Sequence, residues 1–172
     1  MVRIIFIDDN YLYKNFPLPQ RMDRASLLSI IQLEQFTSTQ DLLGTCLYED
    51  LEDKVYNQTL TSAEEGLFKL VKYSLSMYAA KSAISILRSE TSRTKREESN
   101  ADQYVLDTIL STIESKLAYI NKRVVEYIKA DTALHGIATA DGCDNDVFDE
   151  TDTYNSTIYY PKEPINKDCN AG

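Results

Sequence analysis

The sequence predicts an all-α protein: a helical bundle with two long antiparallel helices, a short N-terminal arm and an extended C-terminal tail. Only five Gly and four Pro occur in 172 residues, too few for the many tight turns of a sandwich or barrel. Apolar residues recur at helical spacing over two long stretches, near 61–88 and 102–130. The spacing disappears after Asp131. We therefore predict a bundle over residues 1–130 and an acidic extended tail over 131–172.

The first residues predict an arm followed by short helices. Residues 2–7, VRIIFI, are typical of a short strand or an extended arm. Asp8 or Asp9 can then cap a short helix, because Asp accepts hydrogen bonds from free amides at a helix start. For the same reason Asp23 is the predicted cap of a helix over 24–36.

A second cap and stop follow in the next twenty residues. One or two further helical turns are expected over 37–43, and Gly44 should end them because glycine accepts a positive φ. Thr45 can cap the next helix, which we predict to run over 45–56.

Two long helices dominate the remainder of the predicted bundle. Thr61 and Glu64 have the spacing of a capping box, which opens a helix to about Arg88. Residues 89–100 are polar throughout and predict a linker or exposed hairpin. The last helix, 102–130, carries a heptad stripe, which favours an antiparallel bundle core over a parallel coiled coil. The stripe consists of Leu106, Leu110, Ile113, Leu117, Ile120, Val124 and Tyr127.

Charge is concentrated in the tail. Of the net charge of −9, residues 131–172 hold −7 and residues 1–130 only −2. This balance argues against general nucleic-acid binding, which needs clustered Lys and Arg. An acidic segment without a periodic apolar face does not fold alone, so we expect other chains to hold it. Aromatic residues supply the predicted protein-binding anchors in this tail: Phe148, Tyr154, Tyr159 and Tyr160.

One basic cluster is a second candidate for protein binding. It comprises Arg88, Arg93, Lys95 and Arg96. The favoured interpretation is a solvated loop whose charge is balanced by neighbouring glutamates. The alternative is a loop that docks on an acidic protein surface or lies near packaged DNA.

Residues with catalytic or metal-binding patterns are lacking in the sequence. The single histidine, His135, has no matching Cys, Ser or carboxylate pattern, so we predict no enzyme. The three cysteines are widely spaced and predict free thiols, neither a zinc site nor a disulfide framework. We expect no metal, no cofactor and no membrane partner. Free thiols and the absence of a leader-like or spanning segment favour synthesis and folding in a cytoplasm.

One segment is more specific than a generic helix. Leu42 to Leu51, LLGTCLYEDL, resembles the LLG-T-x-LY-x-x-L segment of small helical head-to-tail connector (adaptor) proteins of tailed bacteriophages. The ring proteins of crAss-like phages are the most similar of these. The order of elements over roughly residues 1–130 is also similar, whereas the tail lies outside the shared pattern.

The resemblance implies a structural virion protein located in the neck of the particle and made in the host cytoplasm. Such proteins form a ring, usually of twelve copies, beneath the portal and extend the DNA channel. The implied partners are neighbouring copies, the portal protein and the next tail or ring protein, with DNA only passing through. The alternative is a cytosolic α-helical regulator that binds a partner through its bundle or its acidic tail.

Overall fold

The computed structural model describes residues 4–16, 18, 22–94 and 100–140. These residues are 86 % helix and contain no strand, which confirms the all-α prediction for this part of the chain. The elements are α1 (Asp9–Asn15), α2 (Arg24–Glu34), a π-helical turn (Gln35–Thr39), α3 (Gln40–Leu43), α4 (Thr45–Asn57), α5 (Ser62–Thr94), α6 (Asn100–Ala130) and α7 (Thr132–Ala138).

The N-terminal arm packs on its own chain. Phe6 and Ile7 are buried, and the backbone around them is held by the side chain of Gln35. The Phe6 amide donates to Gln35 Oε1 at 2.7 Å, while Gln35 Nε2 donates to the Ile4 carbonyl at 2.7 Å. The same Nε2 lies 3.1 Å from the Tyr48 hydroxyl. Residues 4–7 are thus held against the bundle by Gln35.

The chain turns sharply between α3 and α4. Gly44 has a φ of 76°, as predicted for the residue that ends the preceding helix, and its amide donates to the Gln40 carbonyl at 2.8 Å. The predicted cap at Thr45 is wrong, because Gly44 occupies the cap position and no side chain bonds the first amides of α4. The Thr45 hydroxyl instead accepts from Gln40 Nε2 at 3.4 Å.

The capping box at the start of α5 is confirmed. The Glu64 amide donates to Thr61 Oγ1 at 3.3 Å, and the Thr61 amide donates to Glu64 Oε2 at 2.7 Å. Each side chain therefore satisfies an amide of the other residue at the helix start, where no intrahelical acceptor exists.

Residues later in α5 contact residues earlier in α6. The contacts join Ala63 to Tyr127, Ser74 to Asn121, Lys81 to Glu114 and Arg88 to Asp107. Asn121 forms the polar centre of this interface, since its Oδ1 accepts from Ser74 at 2.7 Å and its Nδ2 donates to Tyr78 at 2.6 Å. Hydrogen bonds at one level of an apolar seam fix the register of the two helices.

Two predicted boundaries are wrong. Helix α5 continues to Thr94, so residues 89–94 are helical where we predicted a linker. This polar segment adds turns to a helix that is already nucleated, and each added residue gains an intrahelical hydrogen bond. Residues 131–140 are not an extended tail: Asp131 caps α7 through the amides of Ala133 and Leu134 at 2.9 and 3.1 Å. Leu134 and Ala138 are buried in the common core. The rest of the predicted tail, 141–172, lies outside the described residues.

Cys46 is disulfide-bonded, so the prediction of free thiols is wrong for this residue. Disulfide formation depends on the distance between side chains in the fold, which sequence spacing does not determine. Cys143 and Cys169 lie outside the described residues. Among the helices of the described ranges, none is long and apolar enough to cross a membrane.

Candidate functional site

The predicted protein-binding residues fall into three groups. Arg88 lies on α5, about half exposed, with its guanidinium 3.3 Å from Asp107 of α6. Arg93 also belongs to α5, so these two residues of the basic cluster lie on a helix and not in a loop. The remaining predicted residues lie outside the described part of the chain: Lys95, Arg96, Phe148, Tyr154, Tyr159 and Tyr160.

Groups with shifted pKa values occupy structural positions. Hydrogen bonds from the Ser26 hydroxyl and amide lower the pKa of Asp23, the cap of α2. Burial raises the pKa of Tyr11, and Tyr73 adds to the effect. No group of three potential metal ligands occurs within the described ranges.

An ion-pair cluster joins the end of α4 to the start of α5. Lys54 Nζ lies 2.7 Å from Asp50 and 2.6 Å from Glu64. The hydrogen bonds to Asp50 and Glu64 raise the pKa of Lys54. Burial alone would raise the pKa of Glu64, but hydrogen bonds from Lys54 and Thr61 outweigh it and hold that pKa below its ordinary value. The cluster ties the end of α4 to the start of α5.

The first exposed apolar surface lies beside the arm. Leu33 and Phe36 are 60 % and 44 % exposed. Phe36 also lines a cavity of about 220 Å³ together with Ile4, Ile5, Gln32, Gln35 and Tyr48. We call this cavity, taken together with the exposed Leu33 of α2, the arm groove. Sequence reasoning missed it because it forms only when the arm packs against Gln35.

A second exposed surface lies on α6. Its members share one side of the helix, opposite the core stripe, and all are exposed: Tyr104, Val105, Thr108, Ser111, Thr112, Ser115, Ala118 and Tyr119. We call this set the α6 outer face. Tyr104, Val105 and Tyr119 are 74 %, 54 % and 63 % exposed. This face could have been identified from the sequence, because it is the side of the helix opposite the heptad stripe. The sequence analysis considered only the stripe itself.

The α6 outer face carries no charge over four helical turns. At 3.6 residues per turn, the charged residues of this stretch, Asp107, Glu114 and Lys116, lie on its flanks. Three of its hydroxyl groups are already bonded within the helix. Thr108 and Thr112 each donate to the carbonyl four residues earlier at 2.9 Å. Ser115 does the same at 3.0 Å. The face is therefore apolar and hydroxylic, which suits contact with protein better than catalysis.

Comparison of the chain with protein-family models, with curated proteins and with solved structures found no match.

Proposed function

We propose that this chain is a structural virion protein that forms a ring beneath the portal of a tailed bacteriophage. In this proposal the ring joins the head to the tail and extends the DNA channel. The body of each subunit is a helical bundle built on the antiparallel pair α5 and α6, and the acidic C-terminal segment is the tether to the assembly.

The segment from Leu42 to Leu51 carries the proposal, because its sequence resembles that of the head-to-tail connectors. Within the bundle this segment is the turn at Gly44 together with the first half of α4. Its apolar members are buried: Leu42, Leu43, Leu47, Tyr48 and Leu51. The resemblance thus concerns residues that shape the body of the subunit, as expected for a protein whose function is mechanical.

Surface chemistry supports a ring subunit. A closed ring uses heterologous contacts, in which each copy presents two different surfaces. The arm groove, with Leu33 and Phe36 exposed, offers one apolar contact surface on the bundle. A net charge of only −2 over residues 1–130 suits a channel wall, which should not hold DNA tightly.

The proposed tether begins later in the sequence than the predicted tail, 131–172. Because α7 packs into the bundle, we take the tether to start after Ala140. Residues 131–172 contain nine acidic residues, and eight of these lie in the proposed tether together with all four predicted aromatic anchors. Its attraction to basic patches on the portal or on a neighbouring copy should weaken as salt is added.

Co-sedimentation with portal particles of the same virus tests the proposal. The full chain should move with the portal in a fixed ratio, about twelve copies per particle, and should form no stable ring without it. Leu33→Lys should reduce the bound copies, because it places a charge on the arm groove. Tyr56→Lys is the matched control, since Tyr56 is also an exposed apolar residue, on α4, and its substitution should leave binding unchanged.

The alternative regulator predicts a different result. A cytosolic regulator would stay at the top of the gradient with or without portal particles. That outcome, at low salt and with a chain shown to be folded by circular dichroism, would refute the connector proposal.

A further inference from the structure

The α6 outer face has no part in the proposed function, yet its composition is unusual for a solvated helix. The exposed side of a surface helix normally carries charged residues. In this chain 26 % of all residues are charged, but the face has none between Tyr104 and Tyr119. Large exposed side chains lie at both of its ends, with Tyr104 and Tyr119 more than 60 % exposed.

The order of residues on the face is nearly symmetric about its centre. Counted outward from the midpoint between Ser111 and Thr112, residues of the same kind occur at equal distances on both sides. The matching positions are Ser111 and Thr112, Thr108 and Ser115, Val105 and Ala118, and Tyr104 and Tyr119. A second copy in the reverse direction would therefore place a residue of the same kind at the level of each member of the face.

Antiparallel pairing about a two-fold axis uses this symmetry. It brings Tyr104 of one copy to the level of Tyr119 of the other, and Thr108 to the level of Ser115. Burying the hydroxyls of Thr108 and Ser115 costs little, because each already donates to a carbonyl of its own helix. The face has no charged residue of its own, so two copies can approach there without bringing like charges of the face together.

We propose that the free chain pairs with a second copy through the α6 outer face, as two antiparallel helices related by a two-fold axis. A two-fold contact is isologous, whereas ring contacts are heterologous, so the pair is a form of the chain that is not bound to the portal. The face is sixteen residues long, about 24 Å at 1.5 Å per residue. One helix face covers less than the roughly 800 Å² per partner of a standard interface, so the pair is reversible.

Sedimentation equilibrium of the full chain tests the pairing. Between about 10 µM and about 1 mM the average mass should rise from one chain towards two. Ser111→Lys places two ammonium groups near the two-fold axis and should weaken association at least about tenfold. Ser85→Lys is the matched control: it makes the same change at an exposed serine of α5 and should leave association unchanged. Circular dichroism should show both variants folded, because Lys is a better helix former than Ser.

A charge exchange tests the direction and register of the pair. A chain with Thr108→Lys mixed with a chain with Ser115→Glu should associate more tightly than either variant alone. Thr108→Lys mixed with Thr108→Glu should show no such gain, since these positions lie about 10 Å apart along an antiparallel pair. The reverse result would indicate parallel helices and overturn the proposal.

Three other results also overturn it: a chain that stays monomeric up to about 1 mM, association that Ser111→Lys leaves unchanged, or association that Ser85→Lys weakens equally. The outcome is separable from that of the proposed function. Ser111→Lys should still co-sediment with portal particles, so loss of pairing alone refutes only this inference. Pairing without any portal binding refutes only the connector.

Discussion

Replacement of Gly66 by Ala should destabilise the protein, although the same change stabilises most helices. Gly66 lies in α5 and faces Tyr127 of α6. A Cβ at this position would overlap Tyr127 Oη and lie 3.0 Å from its Cζ. The Tyr127 hydroxyl cannot move freely, because it donates to the Ala63 carbonyl at 3.0 Å.

The size of the effect follows from three opposing contributions. Ala in place of Gly in a helix gains about 1 kcal/mol. Displacing the tyrosine ring costs about 1–3 kcal/mol of overpacking. Loss of the hydrogen bond to Ala63 costs about 1 kcal/mol. We therefore expect Gly66→Ala to lower the free energy of unfolding by about 1–3 kcal/mol, or several degrees in Tm.

Thermal and urea unfolding of four variants, the single variants at Gly66, Gly136 and Tyr127 and the Gly66→Ala/Tyr127→Phe double variant, measures this effect. Gly136→Ala is the control: it lies in α7, where an added Cβ would have no neighbouring atom within 4 Å, and should gain up to about 1 kcal/mol. Tyr127→Phe should cost about 1 kcal/mol alone, yet recover stability in the Gly66→Ala background, because it removes the closest atom. If Gly66→Ala stabilises the protein as much as Gly136→Ala does, then Gly66 and Tyr127 are not in close contact.

Three further predictions concern the arm, the helix junction and the tail. Gln35→Ala should lower the free energy of unfolding by about 2–4 kcal/mol, because it leaves buried backbone groups of the arm without partners. It should also speed hydrogen exchange at the Phe6 amide, and an unchanged exchange rate there would contradict this role of Gln35. Because the pKa of Glu64 is held below its ordinary 4.5, its stabilisation is complete above that pH and is lost as the pH falls through the lower folded value. The Tm gap between the wild type and Glu64→Gln should therefore narrow in acid, and a constant gap would refute the ion-pair account. Two truncations test the tail under reducing conditions, which remove the disulfide from the comparison. A chain ending at Ala140 should keep its Tm but lose portal binding, whereas a chain ending at Ala130 should lose portal binding and also melt several degrees lower, because it lacks the buried residues of α7. Equal Tm values for the two truncated chains would contradict the packing of α7.

Local signals in the sequence predicted the local features of the fold. The capping box at Thr61 and Glu64 and the stop at Gly44 depend on a few adjacent residues, and both occur where expected. The heptad stripe of α6 was also informative. Ile113, Leu117, Ile120 and Val124 are all buried, because a long apolar stripe must face a core whichever helix supplies the other side.

Features that depend on distant residues were not predictable in the same way. The arm is held by Gln35, about thirty positions away, and no local pattern links the two. The disulfide at Cys46 likewise depends on folding. Helix α7 is different: Asp131 followed by Leu134 and Ala138 is a cap and a short apolar face, but two apolar positions were too few to distinguish from an acidic tail.

Neither exposed surface was identified from the sequence, for two different reasons. The arm groove requires the arm to be in place beside Phe36, which is a tertiary event. The α6 outer face was readable in the sequence, because a helix with a known core stripe has a known opposite side. Its lack of charge around Ser111 and Thr112 was the informative observation.

Electron microscopy of portal particles incubated with the full chain tests the central claim most directly. We expect a closed ring of about twelve copies on one end of the portal, coaxial with the DNA channel, with each subunit showing the long α5 and α6 pair. Particles that remain bare at saturating chain concentration, or that carry the chain as scattered single copies without rotational symmetry, would contradict it.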